Sequence, residues 1–364
     1  MNTLSDHRPR KGRGAIGNPV GRYEGHTRAV YDDGWSSATG YEADDDLPPF
    51  TTTLTLDASK TIIATNDSPD IGFDQSINPY RGCEHGCIYC YARPTHAYLG
   101  LSPGLDFESR LFYKPSGPDL LEKALSAKNY QVSPIAMGTN TDPYQPVERA
   151  HEITRGILKV LQRFNHPVTI VTKAALVTRD IDILAPMAKL GLARVALSVT
   201  TLDPKLARTM EPRASSPGRR IGALRELAEA GIPTTVMTAP MIPALNDHEL
   251  ETILETAHAA GATSAGMTLV RLPLEVKPLF EEWLQAHAPG RAAHVMSLIR
   301  QCHGGKAYRA EWGVRRTGDG PYAAMMQSRF ARKTAALGMN RGGRPMRTDL
   351  FKVPGRPGDQ MALF

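Results

Sequence analysis

The stretch VTIVTKAALVTRDIDILAPMAKLGLARVALSVT, residues 168–200, decides the fold. A β-branched run, an amphipathic segment of helical length closed by Gly191, and a second β-branched run follow one another in it. That order is a strand, a crossover helix and a strand parallel to the first. Working outward, the same rhythm recurs. Strand-like runs lie at Pro134–Gly138, Val168–Thr172, Arg194–Thr200, Pro233–Ala239 and Ala265–Leu272, with helical stretches at Pro146–Phe164, Asp180–Leu190, Pro217–Ala230 and Asp247–Ala260 between them. Pro146 at a first turn and Gly191, Gly231 and Gly261 past helix ends are the expected punctuation. One more strand just before a cysteine cluster makes six βα units, too few to close an eight-stranded barrel. The expected fold is α/β, as a partial TIM-type barrel, with a doubly wound sheet as the other arrangement; in both, ligands collect at the carboxyl ends of the strands.

Outside this core the reading is plainer. Residues 1–60 form an irregular extension rich in Gly, Pro, Asp and Arg, with the acidic run Asp44, Asp45 and Asp46 and a short strand-like piece at Thr51–Thr55. Residues 61–275 are the barrel core, and 276–331 a helical segment with helices expected at Lys277–Ala286 and Ala292–Cys302. Residues 332–364 read as a flexible basic tail. In it Arg332, Lys333, Arg341, Arg344, Arg347, Lys352 and Arg356 face only Asp349 and Asp359, whereas the whole chain carries a formal charge of +6. Such a tail either attracts phosphate backbones or is simply solvated. With 41% hydrophobic residues the chain can bury a core, and no run approaches the roughly 18 apolar residues of a membrane span. A cytoplasmic protein with no membrane association is expected; oligomeric state is not legible.

Four cysteines are few for 364 residues, and three crowd into Arg81-Gly-Cys-Glu-His-Gly-Cys-Ile-Tyr-Cys-Tyr91. This speaks for a metal or redox site over a disulfide framework. Cys83, Cys87 and Cys90 are spaced to wrap three irons of a cubane cluster and leave the fourth open. Gly82 and Gly86 let the backbone curl, and Tyr89 offers partly apolar cover. The competing reading is structural zinc, completed by Cys302, His85 or His303, though closed zinc sites take four ligands in paired spacings.

The C-x-x-x-C-x-aromatic-C motif resembles the signature of radical S-adenosylmethionine (SAM) enzymes, and the text over about Ser76 to Leu272 looks like the branch that holds spore photoproduct lyase and uncharacterised relatives. The resemblance implies a [4Fe-4S] cluster whose open iron chelates SAM. It also implies a reducing partner of flavodoxin or ferredoxin type, and a 5′-deoxyadenosyl radical that abstracts hydrogen. It places the methionine amino group at Gly138-Thr-Asn-Thr-Asp, with Thr139, Asn140 and Thr141 as acceptors, although the usual Gly-Gly-Glu is absent there. Lys173 is implied to meet the carboxylate, Ser198 and Thr200 the ribose, and Ile242 the adenine. Each has a bland alternative: a solvated lysine, β-propensity, core packing. Glu211, Arg213 and Arg219 either hold the cofactor or pair with one another, and Asn246 and Asp247 are expected to cap a helix.

The lyase relies on a cysteine in the first part of its barrel to return hydrogen, yet no cysteine lies between Tyr91 and Gln301. Cys302 is the replacement candidate or a buried filler; Tyr91, Tyr113 and Tyr144 are alternative relays or packing. The extension, with Arg13-Gly-Ala-Ile-Gly-Asn-Pro and Asp32-Asp-Gly-Trp, is a candidate lid over the barrel mouth. Three whole-protein readings stay open: a SAM-cleaving enzyme acting on nucleic acid, peptide or small molecule, a zinc- or cluster-stabilised nucleic-acid-binding protein, and a degenerate scaffold.

Overall fold

β-Branched runs between glycine-stopped helices have one way to bury both faces, which is to lie side by side under their own crossover helices. In the computed structural model, which describes residues 9–25, 51–343 and 345–355, they do so. The strands are β1 (Thr53–Leu56), β2 (Ile63–Thr65), β3 (Gln75–Ile77), β4 (Tyr80–Arg81), β5 (Arg110–Tyr113), β6 (Ile135–Met137), β7 (Val168–Thr172), β8 (Ala193–Ser198), β9 (Thr234–Met241) and β10 (Ser264–Leu269). The main sheet has the order β10-β9-β8-β7-β6-β3-β2, parallel throughout except for β2, which runs antiparallel on β3. Six parallel strands in sequential order lack the reversal that a doubly wound sheet needs, so the fold is the partial (β/α)6 barrel. A second sheet, β1-β5-β4, was not legible, and its β4 leads straight into the cysteine loop.

The core lies between the strands and their crossover helices. Ile135, Met137, Val168, Ile170, Val195, Leu197 and Val236 from the strands meet Leu158, Leu161, Leu184, Leu224 and Leu254 from the helices, all buried. Three helix readings need correction. The helix expected over 146–164 breaks into Glu148–His151 and Ile153–Arg163, with Glu152 in the left-handed region at φ 49°. The buried Glu148 carboxylate causes the break, because it accepts from the Thr154 amide at 3.0 Å and thereby caps the second helix. Asn246 makes no cap bond; a 3₁₀ turn at Asp247–Glu249 precedes the helix Leu250–Ala259. A helix at Gly320–Ala336 crosses the expected start of the tail.

Residues 345–355 are laid against the body. Phe351 packs on Tyr130, Phe164 and His166, and the Lys352 amide donates to the Phe164 carbonyl at 3.0 Å. Lys333 pairs with Glu255 and Arg347 with Asp349, which neutralises part of the basic charge. Arg344, Arg356, Asp359, Asp32-Asp-Gly-Trp and the acidic run at 44–46 lie outside the described residues.

Burial pushes His166, beneath Phe351, down to about 4 from 6.5. The unfolded chain therefore binds a proton that the folded chain refuses, and stability falls as pH drops from about 6.5 towards about 4. In urea melts His166→Gln is expected to flatten that slope; an unchanged slope would place the protonating group elsewhere.

An open barrel leaves two sheet edges, β10 and β2, and the segment before the last helix spans them. The Leu269 amide of β10 donates to the Arg316 carbonyl at 3.0 Å. Next to it Arg315 Nε reaches Asp70 Oδ2 at 2.8 Å, and Arg316 Nη1 the Asp70 carbonyl at 2.6 Å, in the β2–β3 turn. Arg315 holds the Asp70 carboxyl down at about 2. A two-pronged charged bond contributes about 1.5–3 kcal/mol, so Asp70→Asn should speed tryptic cleavage after Arg315 about tenfold or more without unfolding the barrel. Equal cleavage in both proteins would show that the seam is closed by other contacts.

Candidate active site

The cysteine loop starts where β4 ends. Gly82, at φ 75°, turns the chain where a Cβ would meet Leu111 Cδ2 at 2.6 Å and the Phe107 carbonyl at 2.8 Å. Two tight turns follow, with the Gly86 amide on the Cys83 carbonyl at 3.3 Å and the Cys90 amide on the Cys87 carbonyl at 3.1 Å. The loop is held from outside itself. Fully buried Arg93 donates to the carbonyls of Cys87 (2.9 Å), Gly86 (3.1 Å), Pro103 (3.1 Å) and Gly104 (3.0 Å), and pairs with Glu108. Gln145 accepts from the Glu84 amide at 2.8 Å and donates to the Gly82 carbonyl at 3.2 Å. Sequence reading missed both residues, because no motif spacing marks a side chain that bonds only to backbone.

Cys83 and Cys87 are buried, Cys90 is half-buried, and all three are free thiols. Burial pushes the Cys83 and Cys87 thiols up, so their thiolates need a cation beside them. Three soft donors on one loop fit a cubane. Zinc fits less well. Among the described residues no three His, Cys, Asp or Glu side chains converge as a single-ion site requires, whereas a cubane spreads its ligands over separate irons. His85 Nδ1 lies 3.3 Å from Asp142 Oδ2, and His303 Nε2 lies 3.2 Å from the Val270 carbonyl.

Gly138 ends β6 at φ 88°, where a Cβ would sit 1.9 Å from the Val171 carbonyl, so glycine is obligatory. The following loop is built around Asn78, whose Oδ1 accepts from the amides of Asn140 (3.0 Å) and Thr141 (3.2 Å) and whose Nδ2 donates to Thr139 Oγ1 at 3.2 Å. Thr141 is buried with its hydroxyl given to the Tyr80 carbonyl at 3.0 Å. Asp142 binds this loop to β7, accepting from Thr172 Oγ1 and the Lys173 amide, each at 2.7 Å. Burial alone would raise its carboxyl, but His85 and these donors hold it at about 2.

Beyond β7, Lys173 Nζ stands 5.7 Å from the centre of the Tyr89 ring, with no ion pair to a described carboxylate. The Tyr89 hydroxyl donates to Glu211, which also accepts from Thr200 Oγ1 at 2.8 Å and pairs with buried Arg220. Burial pushes Glu211 up while Arg220 pulls it down. Arg220 further donates to the Ser198 carbonyl at 3.0 Å and the Ser215 carbonyl at 2.7 Å. Thus Glu211 and Thr200 form a mount for Tyr89, and it is Arg220, next to the exposed Arg219, that completes it. Arg213 instead pairs with Glu84 of the cysteine loop at 3.1 Å. Ile242 is buried in one apolar cluster with Cys87 and Tyr89. Asn246 ties strand ends together through the carbonyls of Thr200 (2.7 Å) and Pro240 (3.1 Å).

The hydrogen-return candidates separate. Tyr91 is 43% exposed beside Cys90, its hydroxyl on the Thr139 carbonyl and the Arg271 guanidinium 3.8 Å above its ring. Tyr144 is buried in the main core with its hydroxyl 3.0 Å from Asp180 Oδ2. Cys302 is buried in that same core, its thiol pushed up to about 11 by burial, and Tyr113 packs on His151. Tyr144 and Cys302 both fill positions in the main core, Tyr144 next to the Gln145 that bonds the cysteine loop.

A family model described as the radical SAM superfamily matches residues 77–257. An uncharacterised protein of Mycobacterium tuberculosis, Rv2578c, is 34% identical over 231 residues, covering 63% of this chain and 68% of its own. The uncharacterised MJ0683 of Methanocaldococcus jannaschii is 33% identical over 174 residues, 48% of this chain and 62% of its own. Among solved structures, a cysteine-to-serine variant of spore photoproduct lyase superposes with TM-score 0.56 at 17% identity, over 79% of this chain and 81% of that one. The lyase complexed with dinucleoside spore photoproduct gives 0.52 at 18%, over 79% and 80%. The motif, the barrel that presents it and these likenesses agree: the chain belongs to the radical SAM superfamily, in a fold like that of spore photoproduct lyase.

Proposed function

We propose that this chain is an enzyme that cleaves SAM reductively at a [4Fe-4S] cluster held by Cys83, Cys87 and Cys90, and abstracts hydrogen from an anionic substrate, with nucleic acid the favoured class. One observation carries the reading: three free thiols on one braced loop, next to a lysine with no ion pair to a described carboxylate, at the carboxyl ends of parallel strands. Given one electron from an external donor, cluster and SAM together would supply cleavage of a carbon–sulfur bond and a hydrogen-abstracting carbon radical. The chain's own part is to hold and to shield. Lys173 offers a point charge for the methionine carboxylate, the loop at 138–141 offers oxygens for the amino group, and Ile242 offers apolar cover for the adenine. Ser198 and Thr200 are the proposed ribose neighbours, with Thr200 acting through its bond to Glu211. Tyr91 is the proposed relay of a hydrogen atom, since it alone of the candidates combines exposure with a place beside Cys90. A flavodoxin- or ferredoxin-type donor would supply the electron.

The nucleic-acid version rests on Arg271, stacked on Tyr91 with no ion pair to a described carboxylate, and on the dinucleoside that the structurally similar lyase binds. No helix among the described residues is long and apolar enough to cross a membrane.

Anaerobically reconstituted protein given dithionite and SAM should release 5′-deoxyadenosine and methionine in equal amounts. A loaded cluster that releases neither would overturn the reading. Lys173→Met should keep its iron yet weaken SAM binding about tenfold, the weight of one charged hydrogen bond. If calorimetry gives the variant wild-type affinity, Lys173 is a solvated strand-end lysine.

A further inference from the structure

Arg13 to Gly17 form neither helix nor strand, yet every one of these residues is buried. An irregular segment is expected on the surface unless its backbone polar groups find partners inside. These do. The amides of Gly14 and Ala15 donate to the two carboxylate oxygens of Glu108, at 2.9 and 2.8 Å, and Arg13 Nη1 donates to the Glu108 carbonyl at 2.6 Å. Glu108 is also the carboxylate that pairs with Arg93, the residue gripping the Gly86 and Cys87 carbonyls. Segment and cysteine loop therefore share one buried charge pair.

They also touch directly. A Cβ on Gly14 would lie 1.9 Å from the Gly86 carbonyl, and Ala15 belongs to the apolar cluster of Cys87, Ile88 and Tyr89. On the loop's other flank Arg13 Nη2 donates to Thr52 Oγ1 at 3.1 Å, and Thr52 donates to Glu84 at 2.6 Å. Asn18 exchanges two bonds with Asp106, each 3.0 Å, and a Cβ on Gly104 would lie 2.4 Å from the Gly17 carbonyl. The segment thus reaches the loop at Glu84 through Thr52 and lies against it at Gly86, one position on either side of His85.

We infer that residues 13–18 are a wall of the cluster site, a strap that fixes the Cys83–Cys90 loop from behind in its ligand-holding shape. A lid would cover the mouth and move; residues 13–17 are instead buried against the back of the loop, while Asp32-Asp-Gly-Trp lies outside the described residues. Arg13, Gly14, Asn18 and Glu108 are positioning residues that act on the cluster through the loop backbone. The inference rests on the three cysteines being the cluster ligands.

The test compares full-length Gly14→Ala and Asn18→Ala with Gly25→Ala, whose Cβ would meet no described residue within 4 Å. Iron and sulfide per chain, the rate at which a chelator bleaches the reconstituted protein, and the melting of the metal-free chain are measured. Loss of outer support around a metal typically weakens its retention 10- to 100-fold. Gly14→Ala should thus bleach about tenfold faster or more, Asn18→Ala more slowly than that but faster than wild type, and Gly25→Ala at the wild-type rate. The metal-free Asn18→Ala chain loses two bonds to Asp106 and should melt a few degrees lower, so bleaching is compared well below both melting temperatures, where faster loss reports loop support and not general unfolding. If Gly14→Ala does not fold, Asn18→Ala decides alone. Wild-type bleaching in the folded variants would overturn the strap, while a wild-type protein that takes up no iron would overturn the ligand assignment instead.

Discussion

Cys87→Ala is expected to give a folded, colourless chain with no stoichiometric iron, while Cys302→Ala keeps the full cluster colour. The contrast follows from placement. Cys87 sits buried on the loop that Arg93, Gln145 and Ile88 hold, the Ile88 amide bonding to the Met210 carbonyl at 3.0 Å. Removing its sulfur leaves two thiols, and a cubane gripped at two corners loses iron readily. Cys302 lies in the other core cluster at the end of the helix Pro289–Gln301, where alanine removes one buried sulfur and costs about 1 kcal/mol. Iron analysis after anaerobic reconstitution reads both variants. Cluster loss in Cys302→Ala would mean that the ligand set has been misassigned.

Arg220→Ala is expected to destabilise the metal-free chain by about 3–5 kcal/mol, the cost of leaving a buried carboxylate without its partner. Both side chains are essentially inaccessible, at 1% and 0% exposure, and Glu211 takes bonds from Tyr89 and Thr200 as well. The double change Arg220→Met with Glu211→Gln should recover most of the loss, because it removes both charges and keeps an acceptor for Tyr89. Urea unfolding measures the three proteins. A single variant within about 1 kcal/mol of wild type would show that water reaches Glu211.

The barrel was legible because Val168–Thr172, Arg194–Thr200 and their fellows are β-branched runs separated by glycine-stopped amphipathic segments, a local pattern that parallel pairing satisfies. What stayed hidden depends on distant partners. β5 is four residues long and pairs with β1 and β4, whose chain positions carry no signal of each other. Arg219 and Arg220 look alike in sequence, and only the turn of the helix Pro217–Glu229 decides that the second one faces Glu211. The burial of the segment at 13–18 comes from backbone amides meeting a glutamate over ninety residues away, which composition cannot register. Tyr144 and Cys302 stand out by their chemistry, whereas their burial in the main core depends on packing partners far along the chain.

All of this turns on a cluster with one corner left for SAM. The most direct measurement is the electron paramagnetic resonance spectrum of the reconstituted, dithionite-reduced protein, recorded with and without SAM alongside its iron count. About four irons per chain and a spectrum that changes when SAM is added are predicted. A spectrum that ignores SAM, or zinc in place of iron, would contradict the account.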